Sequence, residues 1–543
     1  MKHILILLAV AIAAGGVYFY EDIITFSQST LFTASVSNAP EDIKKLQSLN
    51  TTITTSPKKD EIKQAVTERK KLMLELAEND PAAFLNLVIP ADKRNKLDED
   101  VKKDIEREVS FNNAVVNVLH VDNFEHPEHS KNNYFIHDNG KNLSLNISNP
   151  PNIISGTKMN IKGYQIDSTV AANSGDTLTV QGGVPNGLGV KKTAVLLVSF
   201  LDSPAPPFSK DTARSMVFSS DRQFVPFFKE NSYGKVSFSG EVYGWHTIPR
   251  NGQDACSGSK ITDNITEGDI DRIGRQYGVS FSSYDEIVIF FNRRTCAQYE
   301  HSYGTIGKWS VAFPEYKAQW AIAWVNAWVS RTTNISSFHW SNFDRTLSHE
   351  VGHNLGLPHA NGIDCGTKSV PGANTTCSYV SYGNYYDTMG QGKYAAHFNS
   401  RYKEYIGWTP PASTKTITSS GTYRLYPLEQ SPTGRITTAK IYNSKGVMVY
   451  YLEYRKPIGY DRLLTGVSTA VASNQKGLMA LYKSDFYVDL KPTSESWQND
   501  IMNSSLNLGN IPFYDTANGI TIGPVRAVTD SYIEFEVKVG TAQ

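Results

Sequence analysis

Hydrophobic and polar positions change their spacing several times along the chain, and each change predicts a different kind of structure. Residues 21 to about 110 are polar with helical spacing, most clearly in DEIKQAVTERKKLMLELAEND. The apolar positions of that stretch recur about once per helical turn, at Ile62, Val66, Leu72 and Leu76. Proline is favoured in the first turn of a helix, so Pro81 predicts that one helix ends and another begins there.

The spacing changes to a period of two between about 109 and 181. Segments such as AVVNVLHV, NYFIH and LSLNI alternate like half-buried strands, which is typical of a small β-barrel or sandwich. Residues 182–190, GGVPNGLGV, are typical of a linker. We therefore expect 21–190 to be a helical and β N-terminal domain with its linker. Its position suits either a pro-segment or a permanent accessory domain.

An α/β pattern begins near residue 193. TAVLLVSF is apolar almost throughout, as in a strand that is buried on both faces, and EIVIFF and AIAWVN are further strands. AAHFNSRYKEYIGW predicts a last helix, and strands and turns follow Pro411 to the end of the chain. We expect an α/β (α+β) domain with a mixed sheet over 191–412, followed by an all-β, sandwich-like domain over 413–543.

Residues 1–20 form a separate segment, because Lys2 precedes an apolar run from Ile4 to about Tyr20. Ala11-Ile12-Ala13 offers a small-x-small cleavage site, which is typical of an export signal. Left uncut, the run of about 17 residues is at the lower limit for an N-terminal membrane anchor. Both interpretations predict a secreted or cell-surface/periplasmic protein.

The composition adds constraints on partners and on the redox compartment. The formal net charge is +0, from 53 basic and 53 acidic residues, so we expect no nucleic-acid partner and membrane contact only through the N-terminal anchor. We also expect a monomer. Four cysteines in an exported chain favour two disulfides, Cys256–Cys296 and Cys365–Cys377.

The densest chemistry lies in SHEVGHNLGLPHA, residues 348–360. His349 and His353 are four residues apart, so on a helix both imidazoles project from one face and suit one zinc ion. Glu350 lies about 100° around the helix, close to a metal-bound water that it could deprotonate. Gly356 lets the helix end and the chain turn, so that His359 reaches back as a third ligand. The spacing of Ser341 and Asp344 predicts a capping box at the start of this helix.

The pattern H-E-x-x-H-x-x-G-x-x-H resembles that of the metzincin zinc metallopeptidases, in which a methionine turn follows. Here YYDTMGQG supplies Met389, and the resemblance implies that it forms an apolar floor under the imidazoles. FFKENSYGKVSFSGEVYGWHTI, LSHEVGHNLGLPHA, HFNSRYKEYIGW and YYLEYRKPIGYD further resemble the gametolysin family. These blocks lie within about 195–460.

This resemblance implies a secreted zinc endopeptidase that acts on extracellular or cell-wall proteins. It implies the metal ligands His349, His353 and His359, the catalytic base Glu350 and the cofactor Zn²⁺. An extracellular adhesion or wall-binding protein with a vestigial zinc site is the alternative. A wall-remodelling hydrolase that acts on glycan or peptide crosslinks would share the site and differ only in its substrate.

The N-terminal region departs from a common metzincin pattern, in which a propeptide side chain silences the zinc. The chain has no cysteine before Cys256, which excludes a cysteine ligand from 21–190 and leaves an aspartate or histidine ligand open. HVDNFEHPEH holds His120, His126 and His129, and we expect this stretch to be an exposed polar loop.

Two further features of the family pattern are open in this sequence. Some metzincins place a tyrosine that assists the transition state near the methionine, and Tyr385, Tyr386 and Tyr394 are the candidates. The substrate would add a strand to an exposed sheet edge, which residues 308–326 are expected to carry.

Overall fold

The computed structural model describes most of the chain. It covers residues 39–124, 127, 130–138, 141–219, 224–252, 265–292, 302–313, 315–327, 337–371, 375–392, 395–466, 476–483, 486–493, 497 and 504–541. The predicted N-terminal signal or anchor, the Cys256–Cys296 pair, His126, His129 and Tyr394 lie outside these ranges. Within the described ranges, no helix is both long and apolar enough to cross a bilayer.

Five helices open the described chain. They are α1 (Ala39–Thr55), α2 (Lys59–Asn79), α3 (Pro81–Asn86), α4 (Ala91–Arg94) and α5 (Glu99–Lys102). Pro81 occupies the first turn of α3, and the Asp80 carboxylate accepts from the Ala83 amide at 2.9 Å, which caps that turn. Arg69 of α2 is buried and forms a two-point ion pair with Glu106 at 2.6 and 3.0 Å. This pair ties the helices to the strands that follow.

The next six strands form a closed barrel with one added strand. They are β1 (Arg107–Val121), β2 (Lys131–Asp138), β3 (Lys141–Ser148), β4 (Thr157–Ile166), β5 (Thr169–Asn173) and β6 (Thr177–Gln181). The pairing runs β1-β2-β3-β5-β4 and returns to β1, and β6 extends β4. Alternate residues of β4 are buried, as the period-two pattern predicts. Of the two architectures expected here, the structure has the barrel.

The predicted linker is packed against its neighbours. The Asn186 amide donates to Leu355 O at 2.9 Å, and the Trp408 indole donates to Gly187 O at 2.7 Å. A Cβ atom at Gly187 would lie 2.4 Å from Ile406 O, so only glycine allows this approach. The segment therefore runs along the α/β domain in a fixed path.

A second group of elements forms the α/β unit. Its strands are β7 (Gly189–Phe200), β8 (Val236–Ile248), β9 (Glu286–Asn292), β10 (Tyr303–Thr305), β11 (Trp309–Ala312) and β12 (Lys317–Asn326). Its helices are α6 (Lys210–Phe218), α7 (Phe224–Asn231), α8 (Glu267–Gln276) and α9 (Ser337–Asn354). Strands β8, β7, β9 and β12 are parallel in that order, and β10 and β11 pair antiparallel with β12.

Both faces of the parallel strands are covered. One core contains side chains of α6, α7 and α9, and the other contains side chains of α8. Every residue of β9 is buried, which explains its unbroken apolar run. Strand β1 of the barrel pairs antiparallel with β10, with Leu119 opposite Thr305 and Val121 opposite Tyr303. The barrel and the α/β unit therefore share one continuous sheet.

The remaining strands form the C-terminal unit, whereas the last helix packs Tyr402 into the core of the α/β unit. The last helix is α10 (Ser400–Tyr405), and the strands are β13 (Asn361–Asp364), β14 (Ser378–Val380), β15 (Thr414–Ile417), β16 (Gly421–Leu425), β17 (Thr438–Tyr442), β18 (Met448–Tyr454), β19 (Leu478–Tyr482), β20 (Phe486–Val488), β21 (Phe513–Asp515), β22 (Ile520–Val528) and β23 (Ile533–Val539). Their orders are β14-β13-β20-β19-β18-β17-β15 and β16-β23-β22-β21, and the two sheets share one core.

This arrangement differs from the predicted boundary at 412. Strands β13 and β14 precede that boundary, yet β13 pairs in parallel with β20 of the C-terminal sheet. The predicted Cys365–Cys377 disulfide is present and closes the excursion between these two strands. Spacing along the sequence could not show which sheet two such short strands would join.

Arg455 joins the C-terminal unit to the α/β unit. Its guanidinium is buried, pairs with Glu453 at 2.8 Å and Asp461 at 3.0 Å, and donates to the carbonyls of Tyr386 and His397. A buried charge of this kind is stable only because each donor has a partner. The residue holds the segment around Met389 against the C-terminal strands.

We expect Arg455→Ala to lower the free energy of unfolding by about 3–5 kcal/mol, because two buried carboxylates would lose their cation. Chemical denaturation followed by tryptophan fluorescence measures this change. Arg526→Ala is the matched control, since its ion pair with Glu536 is largely exposed and should contribute less than about 1 kcal/mol. Equal losses in the two variants would contradict this role for Arg455.

Candidate functional site

The site is built on helix α9. Leu347, Val351 and Leu355 are fully buried in the core beneath the sheet, which fixes the rotation of the helix. The same rotation places His349 and His353 together, with ring centroids 4.9 Å apart. The predicted capping box is wrong, because the helix begins at Ser337 and so includes Ser341.

The end of α9 is fixed to the edge of the sheet. The buried side-chain amide of Asn354 donates to Thr305 O at 3.0 Å and to Ile322 O at 2.9 Å. Gly356 has φ +104°, and its amide donates to His353 O at 2.8 Å. The chain reverses there as predicted, and His359 returns to within 5.0 Å of His353 between ring centroids.

Hydrogen bonds fix the orientation of two imidazoles. Nδ1 of His349 donates to Thr388 O at 2.7 Å, and Nδ1 of His353 donates to Leu357 O at 2.7 Å. Each Nε2 therefore carries a lone pair that faces the other histidines. Metal-binding histidines commonly donate their second ring N–H to a carbonyl in this way.

Met389 packs beneath the helix. It is fully buried, and its sulfur would lie 2.4 Å from a Cβ atom at Gly352, so glycine leaves the space that the methionine fills. Ala360, directly after His359, donates its amide to Met389 O at 2.9 Å. The Asp387 carboxylate accepts from the Met389 amide at 2.8 Å. The methionine turn is thus fixed to both ends of the histidine motif.

A residue that the sequence did not single out lies at the centre of the cluster. Asp122 follows the last residue of β1, and its Oδ1 lies 2.8 Å from His359 Nε2 and 3.1 Å from His349 Nε2. Its Oδ2 lies 3.5 Å from His353 Nε2. In the sequence, the only local feature that marks Asp122 is its position directly after a strand.

The prediction that residues 120–129 form an exposed loop is therefore wrong for the first residues of that stretch. His120 is buried, and its ring centroid lies 4.0 Å from that of His359 and 4.9 Å from that of His353. Its Nδ1 faces Asn132 Oδ1 at 2.6 Å. The reason is the β1–β10 pairing, which carries the end of β1 across the helix and excludes water from it.

The charges of the site follow from its burial. Burial lowers the pKa of His349 and of His120 to about 4, and it lowers the pKa of His359 well below the ordinary value. Burial alone would raise the pKa of Asp122, but the nearby histidines more than offset it, so its pKa lies well below the ordinary value. These imidazoles are neutral near pH 7 and can act as metal ligands.

Glu350 is fully buried beside the histidines. Within the described part of the chain no N–H group or hydroxyl donates to either carboxylate oxygen, and the carboxylate lies against that of Asp122. Burial, and then the charge of Asp122, raise the pKa of Glu350 well above its ordinary value. A Cβ atom at Gly304 would lie 3.1 Å from Glu350 Oε2, so the glycine keeps the edge strand close to the carboxylate.

The tyrosine that reaches the site is Tyr382, which the sequence analysis did not name. Its hydroxyl donates to Asp122 Oδ1 at 2.6 Å, and its ring centroid lies 3.7 Å from that of His359. Tyr386 instead packs against Tyr487, and the Tyr385 hydroxyl lies 3.5 Å from Gln391 Oε1. Tyr382 lies further from Met389 than any of the three candidates, so the methionine spacing gave no signal for it.

The donor set fits a metal ion. One donor atom each from His120, Asp122, His353 and His359 lies within 4.8 Å of the others, and His349 Nε2 adjoins the same carboxylate. Nε2 of His353 and Oδ2 of Asp122 are buried without a hydrogen-bond partner in the described structure. Buried polar atoms that face one another unpaired are costly, and a bound cation would satisfy them.

No model of a known protein family matches this chain, and no curated protein sequence is significantly similar to it.

We expect Gly352→Ala to lower the free energy of unfolding by about 1–3 kcal/mol, because the added methyl group would collide with the Met389 sulfur. Alanine ordinarily stabilises a helix interior relative to glycine. A decrease in the free energy of unfolding would therefore by itself indicate the collision with Met389. The control is Gly268→Ala at an exposed position of helix α8, where Thr266 Oγ1 at 3.5 Å is the nearest atom. Thermal denaturation of both variants checks this, and a stabilised Gly352→Ala would contradict it.

Proposed function

We propose that this chain is a zinc-dependent endopeptidase that hydrolyses peptide bonds of extracellular or cell-wall proteins. The observation that carries the proposal is the convergence of His349, His353 and His359 on the two carboxylate oxygens of Asp122, beside the buried Glu350. Three imidazoles with an adjacent carboxylate form the ligand set of an open, catalytic zinc site.

The three histidines would hold the metal, and imidazole nitrogen suits zinc better than magnesium or calcium. When bound, zinc supplies Lewis-acid chemistry: it polarises a carbonyl oxygen and lowers the pKa of a coordinated water toward about 7. The hydrogen bonds from His349 and His353 to backbone carbonyls keep both rings in the ligating tautomer.

Glu350 would act as the general base. Its carboxylate is one residue along the helix from His349 and lies against that of Asp122; once ionised, it would accept a proton from an attacking water. Burial raises the pKa of this group, which makes it a better base once it is ionised. It could then return the proton to the departing amine.

The peptide substrate would lie along β10 and β11. Within the α/β unit, each of these two strands pairs with β12 along one edge only. An extended peptide could add a strand along the other edge. Gly304 brings this edge close to Glu350, which places the backbone of a bound peptide beside the base. The predicted segment 308–326 includes β11 and β12, and the edge extends further, to Tyr303.

The Cys365–Cys377 disulfide supports an oxidising, extracellular location, because such bonds are rare where thiols are kept reduced. An adhesion or wall-binding protein with a vestigial metal site is the alternative function. The β-rich C-terminal unit favours this alternative. The presence of Glu350 favours the peptidase, because a site that only binds metal needs no base.

We expect Glu350→Ala and the isosteric Glu350→Gln to retain stoichiometric zinc and to lose peptide hydrolysis by at least about 10²-fold. His353→Ala should lose both zinc and hydrolysis, because a ligand is removed. Zinc content by atomic absorption and cleavage of a fluorogenic peptide measure the two effects. Each variant is also assayed in an Asp122→Ala background, because Asp122 contacts all three imidazoles.

The control for these variants is Glu536→Gln, a surface substitution in the C-terminal unit that should change neither quantity. Cleavage by Glu350→Gln at the rate of the unsubstituted chain would exclude the proposed base.

Zinc removal separates the peptidase from the alternative. We expect the Asp122→Ala chain to degrade gelatin or a cell-wall glycoprotein. The degradation should stop in the presence of a chelator and resume on addition of zinc. Electrophoresis of the substrate shows the fragments. Binding of these substrates without fragments in every condition would favour the adhesion protein.

A further inference from the structure

The strand order of the N-terminal barrel is that of a known ligand-binding architecture. Its strands pair in the order β1-β2-β3-β5-β4 and close on β1, with β3 and β5 parallel and the other pairs antiparallel. This is the strand order of an OB-fold barrel. Such barrels bind oligosaccharides and oligonucleotides on the outer face of the second and third strands. The fold itself would therefore place a ligand on the outer face of β2 and β3.

That outer face carries polar and aromatic side chains. Alternate residues of both strands are buried in the core of the barrel, so the residues between them point outward. In the register of the two strands, Phe135 lies opposite Ser144, and His137 lies opposite Asn142. A face that only packed against the α/β unit would carry aliphatic side chains at these positions.

A pocket opens at this face, where the barrel meets the α/β unit. It has a volume of about 150 Å³, and it is lined by His137 and Asn142 from the barrel, by Glu267 and Gly268 from the start of α8 and by residues 309–313 of β11 and its end. Sites for drug-sized ligands have about 300–1,000 Å³. The pocket therefore suits a ligand no larger than a single sugar ring.

Two of the lining side chains are oriented by a hydrogen bond to each other. Nδ1 of His137 lies 3.1 Å from Oδ1 of Asn142. An amide oxygen can only accept, so Nδ1 of the imidazole donates, and Nε2 of the neutral ring is an acceptor. The same bond leaves the NH₂ group of Asn142 to donate to a ligand. The barrel thus offers one acceptor and one donor at the pocket.

The backbone of β11 adds a second donor and acceptor. The amide and the carbonyl of Ser310 both bond to the Asn117 side chain, each at 3.1 Å, so they point away from β12. Backbone groups of an antiparallel strand repeat their direction every two residues. Ala312 is exposed and lines the pocket, and it therefore directs its amide and its carbonyl away from β12 as well.

Glu267 determines which charge the pocket accepts. Burial raises the pKa of Glu267, and the nearby His137 opposes this rise, so the two side chains lie close to one another. A carboxylate accepts hydrogen bonds from hydroxyl groups but repels phosphate. Glu267 therefore disfavours an oligonucleotide, in agreement with the balanced charge of the chain.

Aromatic rings border the pocket. Trp309 packs against Phe135 with ring centroids 5.2 Å apart, which fixes the wall between the barrel and β11. Phe313 is partly exposed, and its ring centroid lies 4.8 Å from that of Tyr316. The negative face of an aromatic ring attracts the C–H groups of a sugar ring. The pocket thus combines aromatic rings with closely spaced donors and acceptors, and sugar hydroxyl groups both donate and accept.

We infer that this pocket binds one ring of a neutral saccharide, with Glu267, Asn142 and the backbone of Ala312 bonded to its hydroxyl groups. The inference does not rest on the proposed function, because the pocket shares no residue with the histidine site. Wall polysaccharides and glycans attached to proteins share this chemistry. The barrel and the α/β unit share one sheet, so a glycan bound here would hold the histidine site near the material that carries the glycan.

The test applies the full chain to an array of neutral glycans that carries fragments of cellulose, chitin, xylan and mannan beside protein-linked glycans. Isothermal titration then measures the affinity for the oligosaccharide that binds best. We expect Asn142→Ala to weaken binding about fivefold and Glu267→Gln about tenfold, because each removes a hydrogen-bonding group and the second removes a charged one. Asp176→Asn, on an exposed turn of the same barrel, is the control and should leave the affinity unchanged.

Circular dichroism confirms that each variant is folded, and Glu267→Gln retains the side-chain size. Absence of binding to every glycan on the array overturns the inference, and so does binding that both pocket variants retain in full. A gelatin hydrolysate that binds instead, and loses affinity in Glu267→Gln, assigns the pocket to peptides and overturns it as well. The glycans that bind show whether the source is a wall polysaccharide or a glycoprotein.

The same titration keeps this site apart from the proposed peptidase. Saccharide affinity should be unchanged in Glu350→Gln and after treatment with a chelator, because neither change touches the pocket. Loss of binding with the chelator would place the glycan at the metal and overturn the inference. Saccharide binding in samples that cleave no peptide overturns the peptidase alone.

Discussion

One buried carboxylate determines how the parts of this protein fit together. Asp122 is fully buried, the Tyr382 hydroxyl donates to it, and three imidazoles surround it, so that a cation bound between the carboxylate and the imidazoles would stabilise its charge. These partners come from α9, from the turn after it and from the segment before Met389. A group that needs partners from so many elements positions all of them relative to β1, and the β1–β10 pairing holds the carboxylate at that position.

A second group of buried charges contacts the methionine turn from the C-terminal unit. Arg455 pairs with Glu453 and Asp461, and it reaches the carbonyls of Tyr386 and His397. The turn that carries Met389 is therefore held between two polar networks, one from the barrel and one from the C-terminal strands. Met389 itself contributes shape, filling the space that Gly352 leaves. Rigidity at the site thus depends on units that carry none of the proposed catalytic residues.

The histidine motif was predictable because its geometry is local. A spacing of four residues places His349 and His353 on one helix face in any structure, and Gly356 allows the turn toward His359. The Cys365–Cys377 bond was predictable for a similar reason, since the two residues are separated by only 12 positions. Alternation of apolar residues likewise predicted the strands of the barrel.

Asp122 was not predictable, because it meets His349 across 227 positions of sequence. Periodicity shows which face of an element is buried but not what buries it, so the pairing of β1 with β10 had no signal in either segment. The same limit applies to β13 and β14, whose few residues could join any sheet. Tyr382 has φ 53°, an unusual conformation for a tyrosine, and the residue types around it do not indicate it.

The excursion of β13 and β14 has a consequence for the order in which the protein is made. Asn361–Asp364 begins two residues after the third histidine, but its partner β20 is Phe486–Val488, more than a hundred residues later. A ribosome that has just released the histidine motif has not yet synthesised the strand that completes its surroundings, and chains are made at only about 5–20 residues per second. The metal-binding segment therefore waits several seconds for its last neighbours, while the barrel with Asp122 is already complete. Synthesis from the N-terminus thus supplies the carboxylate before the histidines that surround it.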